Sequence, residues 1–345
     1  MKTWTRRLVG ALGLAYPIAL LGVWLTLRTV GEAWWVSTVG LYLPRIVFGA
    51  PLLAVAAALF RLRMRRLLVA QAASALLVVF PIMGFVLPWP VSRDAESPTV
   101  RVFSLNADSG REGIDRIVEE IARLSPDVVL LQEVYGDETF ATLLRATYPT
   151  VETSGQFVLA TRFRLLRTVE PEKVPYAGQL RSARFIKYDL DTPLGPVSFY
   201  SVHPVSPRDG FTTLRGHGLR QEIETGRLFE GTTAHRLEIN TGLRALQVQT
   251  FAEAARREPG PVVIAGDTNL PDSSPLLRRA LSAYEDGFAR SGWGFGYTFP
   301  TNKWRPWMRI DRVLASHALR FVHFEVGRAV VSDHRYVVAD LQRGS

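Results

Sequence analysis

The sequence predicts an α/β or α+β sandwich, sheets inside and helices outside, carried behind three membrane-spanning helices. Long uncharged runs fill the first ninety residues, and nearly all of the net positive charge lies among or beside them. From residue 100 onward, short β-branched runs alternate with segments of helical period. Several of those runs stop at an acidic, amide or imidazole side chain.

Residues 8–27 are twenty positions without a charge, about enough to cross a hydrocarbon core of about 30 Å. Residues 39–60 form a second span, interrupted by Pro44 and Arg45, and residues 67–89 a third, with Gln71 and Ser74 as its polar members. A cleaved signal peptide would account for the first run alone, but two more follow and no small-x-small cleavage site is evident. Lys2, Arg6 and Arg7 precede the first span, and Arg61, Arg63, Arg65 and Arg66 fill the loop between the second and third. The positive-inside rule then puts both in the cytoplasm and everything after Trp89 outside. Trp34, Trp35 and Trp89 fall at the outer interface, and Arg45 either snorkels to that side or is a functional intramembrane charge. Residues 1–90 therefore read as a membrane anchor, 91–99 as a proline-containing linker and 100–345 as one domain.

Charge narrows the function. The chain of 345 residues carries +9, but residues 1–94 hold ten basic and two acidic side chains, leaving +1 for the remainder. The high isoelectric point thus gives no sign of a polyanion-binding surface on the domain. With no cysteine, disulfide scaffolds and thiolate metal sites are excluded.

Within the domain, residues 100–105 (VRVFSL) form a strand. Ile114, Ile117, Val118, Ile121 and Leu124 make one face of a helix that stops at Ser125-Pro126. A strand at 128–131 and a helix at 138–147 follow, then strands at 156–160, 183–190 and 197–202. A helix at 241–257 leads to the strand 261–265, and strands at 310–315, 319–326 and 336–341 close the chain.

The strand ends carry the chemistry. The stretch PVVIAGDTN, 261–269, runs from a buried strand straight into Asp267 and Asn269. Both are poor strand formers and costly to bury unless paired. Either they make a turn, or the strand aims both into one pocket, since side chains two apart share a face. The strand at 100–105 ends in Asn106-Ala107-Asp108, that at 128–131 in Gln132-Glu133, and that at 197–202 in His203. Asp311 opens a strand just after Arg309, and Ser332-Asp333-His334 precedes the last one. Each alone reads equally as a turn, a solvated strand end or a loop histidine. A Ser-His-Asp relay within 332–334 is disfavoured by the alternation of faces, and there is no Gly-x-Ser-x-Gly elbow. Collected at sheet edges, these groups suit a hard cation and phosphoryl transfer.

On these residues the sequence resembles the endonuclease/exonuclease/phosphatase superfamily, the family of deoxyribonuclease I, apurinic endonucleases, neutral sphingomyelinases and inositol-polyphosphate 5-phosphatases. The motifs are SLNAD, LLQE, VHP, AGDTN, RIDRVLAS and SDH, over about residues 100–341. The resemblance implies a four-layer α/β sandwich, two central mixed sheets flanked by helices. It also implies a divalent metal, Mg²⁺ or Mn²⁺, and hydrolysis of a phosphate ester by direct attack of water. Glu133 would be the main metal ligand, assisted by Asn106 and by Asp108 or Asp333. Asp267 would orient or deprotonate the water, and Asn269 would hold a phosphoryl oxygen. His334 would contact the phosphate or relay a proton, kept in its tautomer by Asp311. His203 would protonate the leaving group or stabilise the transition state. Thr268 stands where the family motif has phenylalanine. The tyrosine of the apurinic endonucleases has no counterpart near Thr161-Arg162, which counts against DNA repair.

Two segments bear on the substrate. Residues 205–240 form a long Arg-containing insertion, expected as a flap, a short helical excursion or a solvated loop. Residues 291–309 interleave aromatic with basic side chains, fit to stack bases, clasp a lipid head group, rest on a membrane or pack as a hairpin. Trp307 and Arg309 are its candidate substrate contacts, Arg309 for a phosphate. The expectation is a multi-pass membrane protein whose extracytoplasmic domain is a metal-dependent phosphoesterase. Its partners would be the lipid bilayer and a phosphoester, with no obligate protein partner evident. A lipid head group or small phosphoester comes ahead of the alternative, an extracytoplasmic nuclease on DNA or RNA. A non-catalytic binding module on the same fold is the third reading.

Overall fold

The structure, a computed structural model, describes residues 3–87, 93–136, 138–212 and 231–344. The N-terminal region, expected as the anchor and called so below, contains α1 (Thr3–Thr29), α2 (Trp35–Tyr42), α3 (Ile46–Arg61) and α4 (Arg65–Leu77), the last continued by a π-helical turn to Ile82. Among the described residues, two helical stretches, Thr3–Thr29 and Arg65–Ile82, are long and apolar enough to cross a membrane. The second expected span is broken: α2 and α3 meet at 78° and count as a third span only if the bent pair is one. The break follows from Pro44, which lacks an N–H and drives Leu43 out of the helical region, to φ −70° and ψ 150°. The third helical stretch ends at Ile82, and Trp89 lies outside the described residues.

Arg45 does not snorkel. It is 5% exposed, and its guanidinium donates to the carbonyls of Leu41 (3.0 Å) and Ile82 (3.0 Å) and to Ser273 Oγ (2.8 Å). A broken helix in an apolar setting must find partners for its freed carbonyls, and Arg45 supplies them. Trp34 is exposed, whereas Trp35, also expected at the outer interface, is buried against Ala234 and Leu237 of the domain.

The domain runs β1 (Val100–Asn106), α5 (Ile114–Leu124), β2 (Val128–Gln132), α6 (Thr139–Arg145), β3 (Thr150–Ser154), β4 (Phe157–Thr161) and β5 (Arg164–Val169). A small hairpin, β6 (Val174–Tyr176) and β7 (Gln179–Arg181), precedes β8 (Phe185–Thr192), β9 (Gly195–Val202) and α7 (Arg208–Phe211). Then come α8 (Thr232–Arg256), β10 (Val262–Asp267), α9 (Pro275–Leu281), β11 (Tyr284–Asp286) and α10 (Gly287–Ser291). The strands β12 (Asp311–Ser316), β13 (Leu319–Val326) and β14 (Val337–Arg343) end the chain.

Two six-stranded sheets result, ordered β13-β14-β1-β2-β4-β3 and β11-β12-β10-β9-β8-β5. Each contains one parallel pair, β1 with β2 and β9 with β10, and is otherwise antiparallel. Alternation along the strands sorts the apolar residues into three cores. Val102, Leu130, Phe199 and Val263 face one another between the sheets. Phe103, Leu105 and Val129 turn outward onto Ile117 and Ile121 of α5. Tyr200, Val202 and Ile264 turn outward onto Val248 and Phe251 of α8. The architecture is therefore helix, sheet, sheet, helix, as the resemblance implied.

Two segments differ from expectation. The helix expected at 241–257 begins at Thr232, so the end of the 205–240 insertion is helical; its residues 213–230 lie outside those described. The 291–309 segment holds no regular pair of strands: it folds back on itself at one antiparallel bridge, Phe299 with Met308, and is bridged to the anchor side at another, Val86 with Gly294.

Candidate active site

The core between the sheets turns polar at one edge. On the inner face, Val100 and Val102 lead to Ser104 and Asn106, and Val128 and Leu130 lead to Gln132. Val197 and Phe199 lead to Ser201 and His203, and Val263 and Ala265 lead to Asp267. Because β1/β2 and β9/β10 are parallel, these four ends coincide. β12 begins at the same edge, where its antiparallel register sets Asp311 opposite Asp267. Period-two alternation thus carries five polar side chains past the apolar core into one buried cluster. Gln132 stitches the two sheets beneath it, Nε2 donating to Ser104 Oγ (3.3 Å) and Ser201 Oγ (3.1 Å).

Three further residues join by leaving the strand geometry. Asp108 (φ 43°), Glu133 (φ 55°) and Asn269 (φ 51°) all have left-handed backbone, which is strained for residues with a Cβ and is commonest at functional sites. Gly266, with φ 141°, has no alternative: a Cβ there would lie 2.1 Å from the Val202 carbonyl oxygen.

Asp267 is the hub. Its Oδ1 accepts the Asn269 N–H (2.8 Å) and its Oδ2 accepts Asn106 Nδ2 (3.3 Å). The same Oδ2 lies 3.7 Å from Nε2 of His203 and 3.7 Å from Nε2 of His334. His334 Nδ1 is 2.9 Å from Asp311 Oδ2, which fixes its ring and tautomer. His203 Nδ1 is 2.6 Å from Gln156 Oε1, while its Nε2, 3.2 Å from Glu133 Oε1, has no aligned hydrogen-bond partner among the described residues. Asn269 Nδ2 donates to the Pro204 carbonyl (2.9 Å), leaving one amide hydrogen free of that bond.

The two imidazoles are driven in opposite directions. Burial would lower His334, but the carboxylates of Asp311 and Asp267 raise it to about 10. Burial, then the charges of Arg184 and His334, hold His203 well below its ordinary value. Burial raises Asp267 to about 7, although the His334 cation opposes it. A cation, a neutral imidazole and a carboxyl poised near neutrality therefore converge on one point.

Two groups of ligands suit a cation. Asp267, Asp311 and His334 present three ligand atoms within 4.8 Å of one another. Asp311 and Nδ1 of His334 are already committed to each other, however, so this trio acts better as a proton relay. At the rim, the Asp108 N–H donates to Asn106 Oδ1 (3.1 Å), and the Asp108 carboxylate is near enough to Asp333 and Glu133 to feel their charge. Asp108 is raised by burial and then by the charge of Asp333, with Glu133 adding to it. Their basic neighbours, Arg111 (3.4 Å from Asp108) and Arg208 (3.4 Å from Asp333), are both largely exposed. Excess oxygen-borne negative charge of this kind fits a hard divalent ion.

Two expected residues are elsewhere. Arg309 does not face the cluster: its guanidinium is spent on Asp286 (2.8 Å) and Asp272 (2.5 Å), beside Arg312, in the wall of a separate cavity of about 510 Å³. Its charge is balanced by carboxylates rather than offered to a phosphate. Trp307 is no substrate platform either; it packs beside Tyr42, Met308 and Ile310, and its Nε1 donates to the Tyr42 carbonyl (3.1 Å). Sequence reasoning passed over Gln156 and took Phe299 only as one aromatic of the 291–309 segment, whereas its ring lies 4.5 Å from that of His334. Neither sits at a polar strand end preceded by an apolar run, so nothing local tied either to the cluster.

The profile of the Endonuclease/Exonuclease/phosphatase family matches residues 100–334, the stretch that supplies this cluster. The chain belongs to that family. None of the curated proteins is similar enough to match it. Among solved structures, an endonuclease/exonuclease/phosphatase from Beutenbergia cavernae has a TM-score of 0.51 at 20% identity, over 71% of this chain and 72% of that one. Truncated TDP2 from Caenorhabditis elegans gives 0.50 at 19%, over 71% and 97%. Beta toxin from Staphylococcus aureus gives 0.50 at 13%, over 70% and 99%. At such identities the likeness speaks for the shared fold, a phosphoesterase and nuclease scaffold in this family.

Proposed function

We propose that this protein is a membrane-anchored, divalent-metal-dependent phosphodiesterase that hydrolyses its substrate by direct attack of water. The observation that carries this reading is Asp267 Oδ2 lying 3.7 Å from both His203 Nε2 and His334 Nε2. Asp267, raised to about 7, is suited to orient a water and accept its proton near neutral pH. His334, protonated up to about 10, is suited to bind a phosphoryl oxygen through Nε2–H, with the free amide hydrogen of Asn269 beside it. His203, neutral with its Nδ1–H on Gln156 Oε1, offers Nε2 as an acceptor that can take on the proton gathered by Asp267 and pass it to the leaving oxygen as the P–O ester bond breaks. Glu133, Asn106, Asp108 and Asp333 would hold Mg²⁺ or Mn²⁺, and a bound ion there would neutralise charge on the phosphate.

A lipid head group or small phosphoester is the favoured substrate class. The basis is that the anchor touches the catalytic loop, Tyr42 Oη donating to the Asn269 carbonyl (2.8 Å), so the site sits beside the apolar helices. The lysine and arginine distribution of the anchor supports a domain outside the cytoplasm. A nuclease is the second reading, motivated by Trp304, which is 91% exposed with Arg305 over its ring and suited to stack a base.

The test uses the full chain in lipid nanodiscs with Mg²⁺ or Mn²⁺. Bis-p-nitrophenyl phosphate, plasmid DNA, sphingomyelin and a phosphoinositide are offered in parallel to the wild type, Asp267→Ala and His334→Ala. Turnover that needs metal and both side chains is expected. A folded, metal-binding protein that cleaves none of the four would favour the non-catalytic module.

A further inference from the structure

The membrane anchor enters the active site through one hydroxyl group. Tyr42 is the last residue of α2, 8% exposed, and its Oη donates 2.8 Å to the backbone carbonyl of Asn269. Asn269 has the left-handed φ of 51° and follows Asp267 by two residues. Its N–H holds Asp267 Oδ1 (2.8 Å) and its side chain holds the Pro204 carbonyl (2.9 Å). The third hold on this strained residue is therefore made by the anchor.

Tyr42 is itself fixed. Phe211 meets its ring edge-on at 5.3 Å, and the Arg244 guanidinium lies 5.7 Å from its centroid. The break after α2 presents it: the Tyr42 carbonyl is taken by Trp307 Nε1 and the Leu41 carbonyl by Arg45. Arg45 also reaches Ser273 Oγ, and Glu32 accepts from Ser274 Oγ and the Leu276 N–H. Three anchor residues thus grip the segment that follows the catalytic aspartate.

We propose that Tyr42 is a positioning residue for hydrolysis. By bonding the Asn269 carbonyl it keeps that residue left-handed, so that the Asn269 N–H stays on Asp267 Oδ1 and turns Oδ2 toward the two histidines. The anchor then belongs to the catalytic unit. This inference rests on the phosphodiesterase reading.

The experiment compares the wild type, Tyr42→Phe, Tyr297→Phe and Asp267→Ala, all full length in nanodiscs, with bis-p-nitrophenyl phosphate and Mn²⁺. Tyr297 is the matched control, because its hydroxyl also joins domain to anchor, donating to the Met83 carbonyl (2.8 Å), but away from the cluster. Tyr42→Phe should lower kcat roughly three- to tenfold, with KM unchanged, as a buried carbonyl loses its donor. Tyr297→Phe should leave both constants alone. Hydrogen exchange at the Asn269 amide should quicken in Tyr42→Phe and not in Tyr297→Phe. Wild-type kcat in Tyr42→Phe, or an equal fall in both variants, would overturn the assignment. If the wild type shows no turnover that depends on Asp267, the phosphodiesterase reading fails by itself. The exchange rates then decide whether Tyr42 holds Asn269.

Discussion

Nδ1 of His334 lies 2.9 Å from Oδ2 of Asp311, with both side chains buried. The pair, together with Asp267, keeps the His334 imidazolium protonated to about pH 10. Activity that needs the cation is therefore complete below that value and lost as pH rises through it. In Asp311→Asn the raising charge is gone while burial remains, so the alkaline limb of kcat/KM moves toward neutral pH. A pH profile of both proteins checks this; an unmoved limb would remove Asp311 from the relay.

Asp267→Asn keeps the size of the side chain and removes its capacity to take a proton. We expect kcat to fall roughly a hundred- to ten-thousandfold, with far-ultraviolet circular dichroism unchanged. Retention of more than about a tenth of the wild-type kcat would assign the proton to another group.

Metal dependence separates the rim from the relay. Chelation should abolish turnover, and added Mg²⁺ or Mn²⁺ should restore it. Glu133→Gln should weaken Mn²⁺ binding more than about tenfold in calorimetric titration, whereas Asp311→Asn should not. The reverse order would make Asp267, Asp311 and His334 the ligand set.

The Arg309 cluster is a matter of stability. Burial alone would raise Asp272 and Asp286, but Arg309 and Arg312 overrule it and hold both carboxyls below the usual carboxylate range. Groups depressed in this way contribute stability that is present above about pH 4 and lost as pH falls through the folded values. Arg309→Met should cost about 3 kcal/mol, raise the pH of acid unfolding and leave KM unchanged. A raised KM with an unchanged thermal midpoint would return Arg309 to the substrate.

Much of the site was legible because the chemistry follows a rule of alternation. Asn106, His203, Asp267 and Asp311 continue the rows of Val102, Phe199, Ala265 and Val313, so reading the apolar run locates the polar end. The fold was legible for the same reason, except where an element lacks that pattern: β3 and β5 are mostly unburied, the three-residue strands β6, β7 and β11 are too short to show one, and the short helices α9 and α10 carry too few turns to show a period. What stayed hidden depends on contacts between distant segments. Arg309 looked free because its partners lie 23 and 37 residues away, and Trp307 because its acceptor is in the anchor. The bend at Pro44 was marked by the proline, but its consequence for Arg45 required knowing that Ser273 lies opposite.

The left-handed backbone at Asp108, Glu133 and Asn269 has a thermal corollary. Each such residue relaxes by about 1–3 kcal/mol once its surroundings loosen, so these three corners of the site have less reserve against heat than the regular strands that carry them. On gradual warming, the protein should lose its grip on ligand some degrees before its sheets melt. An enzyme built this way would grow quiet while still folded, and would recover on cooling.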